Sequence, residues 1–250
     1  MSSTRIKCIV SYDGTNYYGF QKQDKFISVE ETIEKALFKM LKKETKIYAS
    51  GRTDRFVHAR GQVFHFDTEL NIPDIGIVRG LNGYLPNDIR ILSASHVDDT
   101  FHARFSAVGK EYRYYIKHTS YSVFDRNYCY FYKGLDLELL KEAASKFVGT
   151  HNFRGFCSLE VDPRKNFVKT IFSVKVNVLN DYYEIIFIGT GFLKYQIRRM
   201  TGLIIEIARK KEKMDKIDLV FKTLDPRDSH SLAPGQGLYL ERVFYNEKDI

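Results

Sequence analysis

Residues 170–211 read TIFSVKVNVLNDYYEIIFIGTGFLKYQIRRMTGLIIEIARKK, and the fold class turns on them. Two runs rich in β-branched and aromatic residues flank Asn180-Asp181, a dipeptide suited to a tight hairpin. Strands joined by so short a turn are antiparallel, whereas parallel neighbours need a long crossover. The stretch then changes period. Leu193, Ile197, Met200, Ile204 and Ile207 form a helical stripe, interrupted by Arg198 and Arg199 and closed by Arg209, Lys210 and Lys211. Hairpin followed by helix, with the strands and helices before it, favours an α+β fold with a largely antiparallel sheet over a doubly wound one.

The rest of the chain extends the pattern. RIKCIVSYDG places Ile6, Cys8 and Val10 on one face of a strand. Ser28 with Glu31 three residues on is a capping-box signal for the helix SVEETIEKALFKMLKK, with Val29, Ile33, Ala36, Leu37, Met40 and Leu41 on its inner face. Short elements follow: a strand near Ile47 to Ala49, a helix near Ile75 to Leu81, a strand near Ile89 to Val97, and the strand KEYRYYIKH. In GQVFHFD, Val63 and the two phenylalanines do not share a face, which predicts a strand covered on both sides. LDLELLKEAASKFVG reads as a helix with Gly149 as its C′ residue, and LYLERVFY as a last strand.

Composition narrows the function. The chain has 250 residues, with 39 Lys and Arg against 31 Asp and Glu, a formal charge of +8. It carries 17 Tyr and 19 Phe, and a basic, aromatic surface suits a polyanion such as nucleic acid. The three cysteines are scattered, which argues against a disulfide framework or a cysteine zinc site. No apolar run reaches the roughly 20 residues of a spanning helix, and the start lacks a secretory pattern, so a cytoplasmic protein with no membrane partner is expected. Phosphate-loop, zinc-protease and dinucleotide signatures are absent, and the seven histidines do not cluster at ligand spacing, so a metal site is not expected.

Three segments hold candidate chemistry. In GRTDRFVHARGQVFHFD, Asp54 is flanked by Arg52 and Arg55, with Arg60 close by. Opposite charge keeps a carboxylate ionised, which suits a nucleophile or charge stabiliser better than a general acid. By itself an Arg-Thr-Asp triplet is more often a solvated turn. FHARFSAVGKEYRYYIKH puts Tyr112, Tyr114 and Ile116 on one face and Arg113, Tyr115 and Lys117 on the other, a pattern suited either to stacking bases or to packing a core. In GFLKYQIRRMTG, an arginine pair on an apolar helix needs an acceptor if buried. These residues reach a basic α+β protein, RNA-binding in character, with an Arg-flanked Asp in a turn, and no further.

An ordered series of blocks goes further: SYDGTNYYGFQKQ, GRTD with VHA, GQVFHFD, LNGYLPNDI, FHARFSA, KEYRYYI, GTHNFRGFCS, GFLKYQIRRMTG and APGQGLYLERVFY. Together they resemble the bacterial tRNA pseudouridine synthase A family nearly end to end. The resemblance implies isomerisation of uridine to pseudouridine without cofactor or metal, on uridines of the tRNA anticodon stem-loop. Asp54 matches the family's catalytic aspartate. Arg198 matches the helix arginine set against that carboxylate, and Tyr112 the active-site tyrosine. Arg52 lies in the matching motif, and with Arg60, Arg104 and Arg113 it makes up the candidate RNA-binding set. The implied fold is two α+β halves, 1–106 with Asp54 and 107–250 with Tyr112 and Arg198, sharing a continuous, mostly antiparallel sheet around a central basic cleft. A homodimer acting on tRNA is implied too.

The chain departs from the family pattern in places. Phe56 stands where the family usually has glycine, Phe20 replaces a common tryptophan, and Ala208 replaces a glycine. Phenylalanine does not readily take a positive φ, so the turn after Asp54 is expected to differ, or to use another residue for its left-handed position. The same chemistry on another RNA, such as ribosomal RNA, and a non-catalytic RNA-binding or RNA-folding protein are the competing readings.

Overall fold

The computed structural model describes residues 3–229 and 231–250. It divides into two compact units. The first takes the described residues up to Val108 together with Tyr239–Ile250, and the second Gly109–Leu238.

In the first unit β1 (Thr4–Tyr12) lies between β4 (Ile89–Val97) and β3 (His58–Thr68), antiparallel to both. The short β2 (Tyr48–Ala49) pairs antiparallel with β3, and β10 (Leu238–Phe244) pairs parallel with it through Tyr239–His58 and Leu240–Ala59. Helix α1 (Val29–Leu41) starts at Ser28, whose side chain accepts the Glu31 amide as the capping pattern predicts. Helix α2 (Asp74–Tyr84) lies against α1 and β4. Ile6, Cys8, Val10, Ile33, Leu37, Phe64, Phe66 and Leu81 are fully buried. β3 is buried on both faces, as its lack of alternation predicts. Around His65 its cover comes from Tyr48, Phe101 and His102.

In the second unit the order is β5 (Gly109–Lys117), β9 (Tyr182–Gly189), β8 (Val168–Val178), β7 (Gly149–Asn152), all antiparallel. β6 (Tyr130–Phe131) pairs parallel with β5. The β8–β9 turn is the expected two-residue one, because Leu179 and Tyr182 exchange backbone bonds across Asn180-Asp181. Helix α3 (Leu137–Ser145) packs on α4 (Gln196–Ala208) and β8, and α5 (Asp215–Thr223) packs on the turn at Arg154–Phe156.

Two sequence expectations shift. The helix α3 ends at Ser145, and Gly149, at φ +118, opens β7 instead of closing the helix. Helix α4 begins at Gln196 and not near Phe192, because Tyr195 takes a left-handed conformation just before it.

Candidate active site

The loop 51–57, carrying Asp54, enters β3, and its backbone is held at several points. The buried Tyr12 hydroxyl lies 2.8 Å from Thr53 Oγ1. The fully buried Gln62 donates through Nε2 to the Gly51 carbonyl at 2.9 Å, and its Oε1 accepts from Ser50 Oγ at 2.7 Å. The Phe20 amide donates to the Thr53 carbonyl at 3.0 Å, and the Val57 amide to the Asp54 carbonyl at 3.2 Å. Two glycines let the neighbouring chain approach. A Cβ on Gly14 would stand 2.2 Å from the Val57 carbonyl oxygen, and one on Gly19, at φ +89, 2.7 Å from that of Thr53. Asp54 is half-buried on this fixed backbone, with Arg52 and Arg55 exposed on either side of it.

The turn after Asp54 corrects one expectation. It keeps the left-handed position, and Phe56 itself occupies it, at φ +66. An L residue there brings its Cβ close to the next carbonyl, at a cost of about 1–2 kcal/mol.

At the start of β3 the buried His58 holds Nδ1 3.0 Å from the Gly14 amide and 3.1 Å from Asp13 Oδ1, while its ring stacks on Tyr239 at 4.6 Å. Arg60 pairs with Glu241 at 3.1 Å. Arg104 is exposed beside the exposed Phe105 ring. Tyr12, Gly14, Gly19, His58 and Gln62 were not singled out from the sequence. For His58 and Gln62 a signal existed, since polar residues in a strand buried on both faces must find partners.

In the second unit Tyr112 is buried on β5, its ring edge-on to Phe192 at 5.4 Å. Tyr114 and Ile116 are buried as well, so much of this aromatic strand is core, and the Tyr114 hydroxyl donates to the Pro234 carbonyl at 2.9 Å. On the other face Arg113 is bracketed by carboxylates, 2.7 Å from Glu111 and 3.0 Å from Glu184. Burial pushes the Glu184 carboxyl up, but hydrogen bonds from Asn177 and Tyr115 and the Arg113 charge outweigh it and hold the group below its ordinary value. The α4 arginines find backbone acceptors. Arg198 Nε donates to the Ala233 carbonyl at 2.8 Å, and Arg199 donates to the carbonyls of Pro226 at 2.7 Å and Ser229 at 2.5 Å.

The structure thus places Asp54, Arg52, Arg60 and Arg104 in the first unit, and Tyr112, Arg113 and Arg198 in the second. Among the described residues no three His, Cys, Asp or Glu side chains converge as a metal site.

A family model described as tRNA pseudouridine synthase matches residues 8–106 and 143–246. A tRNA pseudouridine synthase A from Geobacillus sp. (strain WCH70) is 42% identical over 247 residues, 98% of this chain and 99% of that protein. Its counterpart from Exiguobacterium sp. (strain ATCC BAA-1283 / AT1b) is 43% identical over 249 residues, with the same shares covered. Among solved structures, the archaeal box H/ACA sRNP Nop10-Cbf5 complex shows a distant likeness, with a TM-score of 0.34 at 10% identity over 80% of this chain and 44% of that one.

Proposed function

The chain belongs to the tRNA pseudouridine synthase family, and from that premise we propose that it is an enzyme isomerising uridine to pseudouridine in the anticodon stem-loop of tRNA. Asp54 is the nucleophile, and Tyr112 and Arg198 support it. The observation that carries the assignment of Asp54 is the locked loop: Thr53 is tied to Tyr12 and Phe20, and Gly51 to Gln62. A nucleophile gains most when its approach is fixed before substrate arrives. The reaction breaks the glycosidic bond, turns the uracil and makes a carbon–carbon bond, so it is redox-neutral. A covalent link through Asp54 keeps the fragments in the site while the base turns. A base within a stem must first leave the stack before its glycosidic bond can be reached.

The reading carries a homodimer in the cytoplasm, with tRNA as partner and Arg52 and Arg104 as phosphate-facing cations. No helix among the described residues is long and apolar enough to cross a membrane. The test is tRNA labelled with tritium at uridine C5, since pseudouridine formation releases that label. The wild type releases it from the anticodon arm. Asp54→Asn binds the same tRNA and releases none. Release by Asp54→Asn at the wild-type rate removes Asp54 from the reaction, and modification confined to ribosomal RNA removes the tRNA assignment.

A further inference from the structure

Beside the Asp54 loop stands a four-layer stack. The Tyr18 and Phe26 rings lie 3.9 Å apart and 11° from parallel. The Arg55 guanidinium carbon is 4.1 Å from the Tyr18 ring centre and 4.4 Å from that of Phe56. Two groups so close to one ring cannot share a face, so the order is Phe26, Tyr18, Arg55, Phe56. The stack is built in advance. The Tyr18 amide donates to the Ile27 carbonyl at 3.0 Å, Gln23 bridges to Phe26, and Gln23 Nε2 donates to the Tyr18 carbonyl at 2.8 Å. Yet it lies open to solvent, with Phe26 43% and Phe56 37% exposed.

Phe56 is the informative member. It sits at φ +66, where glycine would be unstrained, and an exposed ring regains little of that cost by burial. Strain kept beside a reacting group points to use of the side chain there. We infer that the outer face of Phe56 docks an unpaired nucleobase next to the target uridine, with Arg55 lending its charge to the stack. This rests on the pseudouridine synthase reading. Aromatic faces stack any base, and a guanidinium plane within the stack strengthens it through cation–π contact. Phe56 stands two residues from Asp54, so the base it takes is a neighbour of the one that reacts.

The test uses Phe56→Gly and Arg55→Ala with anticodon-arm hairpins, intact or abasic at the nucleotide on either side of the target. Phe56→Gly relieves a strained φ, so it folds, and its melting temperature is checked against the wild type. On intact RNA both variants raise KM about tenfold, the range of one base–aromatic stack, and the loss does not fall on kcat. On the hairpin abasic at the docked neighbour, wild type and variants converge. Unchanged KM on intact RNA, or an equal penalty on both abasic hairpins, overturns the inference. If the wild type makes no pseudouridine in any tRNA, the functional reading fails separately. The stack is then judged by hairpin affinity alone, where loss of the intact-against-abasic difference in Phe56→Gly upholds it and its persistence overturns it.

Discussion

The hydroxyl of Tyr12, the last residue of β1, lies 2.8 Å from that of Thr53, the residue immediately before Asp54, and both are buried. Burial drives the Tyr12 phenol well above its ordinary pKa, so it keeps its proton in every working buffer. Tyr12→Phe leaves Thr53 Oγ1 without this partner and costs about 1–2 kcal/mol in urea unfolding. It also lets the loop shift, and with Asp54 as the proposed nucleophile a displacement of about 1 Å lowers kcat by up to about 100-fold. Thr53→Val gives the same pattern. Because the two residues share one bond, the double variant loses less than the sum of the singles. Additive losses in kcat would show that the bond does not position Asp54.

Much of this framework was legible beforehand, and the gaps have local causes. The β8–β9 hairpin and α1 followed from turn and cap chemistry held within a few residues, at Asn180-Asp181 and at Ser28. The errors came where one residue's backbone overruled the side-chain pattern. Leu193 matched the α4 stripe by spacing, but left-handed Tyr195 separates it from the helix. Helix α5 was missed because Ile217, Val220 and Phe221, which packs on Phe147, Phe153 and Phe156, supply a single i, i+3, i+4 set within nine residues, too short a run to stand out as a periodicity. At the candidate site, Asp54 stood out through its motif, while the residues that hold its loop did not. Tyr12, Gly19 and Gln62 reach the loop through tertiary contacts at long sequence separation. Phe56 was recognised as unusual, but only coordinates could show that it accepts the glycine conformation.

Acid stability depends on His65. Its Nδ1 accepts the Ala103 amide at 3.2 Å, a bond that protonation removes. Burial first, then His102 and Arg5, push its pKa down from 6.5 to about 4, against the opposing pull of Asp67. His102, facing it, is shifted down too, by burial and then by Arg5 and Arg104. Below pH 6.5 the unfolded chain takes up a proton that the folded chain refuses until about pH 4. The His65 contribution to stability is therefore full above pH 6.5 and falls as pH drops toward 4, by at most about 3 kcal/mol. Urea midpoints measured across this window show the decline, and His65→Gln flattens it. Parallel profiles for the two proteins would remove His65 as the cause.

Arg113 is held between two buried carboxylates and Arg104 is exposed, so the pair tests which charge holds the fold and which meets RNA in the proposed reading. Glu111 and Glu184 are almost wholly buried on either side of Arg113. Arg113→Ala takes the guanidinium from both, and although Glu184 keeps its bonds from Tyr115 and Asn177 the cost is about 3 kcal/mol, because a buried carboxylate that loses its cation cannot recover its hydration. Arg104 is exposed, and Arg104→Ala leaves stability within about 0.5 kcal/mol. Binding follows the opposite order. A cation that neutralises one phosphate releases condensed counterions, so losing it lowers the slope of log affinity against log salt by about 0.7–0.9. Fluorescence anisotropy of labelled tRNA across a KCl series, with urea melts of the same variants, reads both quantities. Arg104→Ala gives the shallower slope with an unchanged melt, and Arg113→Ala the weaker fold with an unchanged slope. An Arg113→Ala variant that melts normally and loses one phosphate's salt dependence would place Arg113 on the RNA surface.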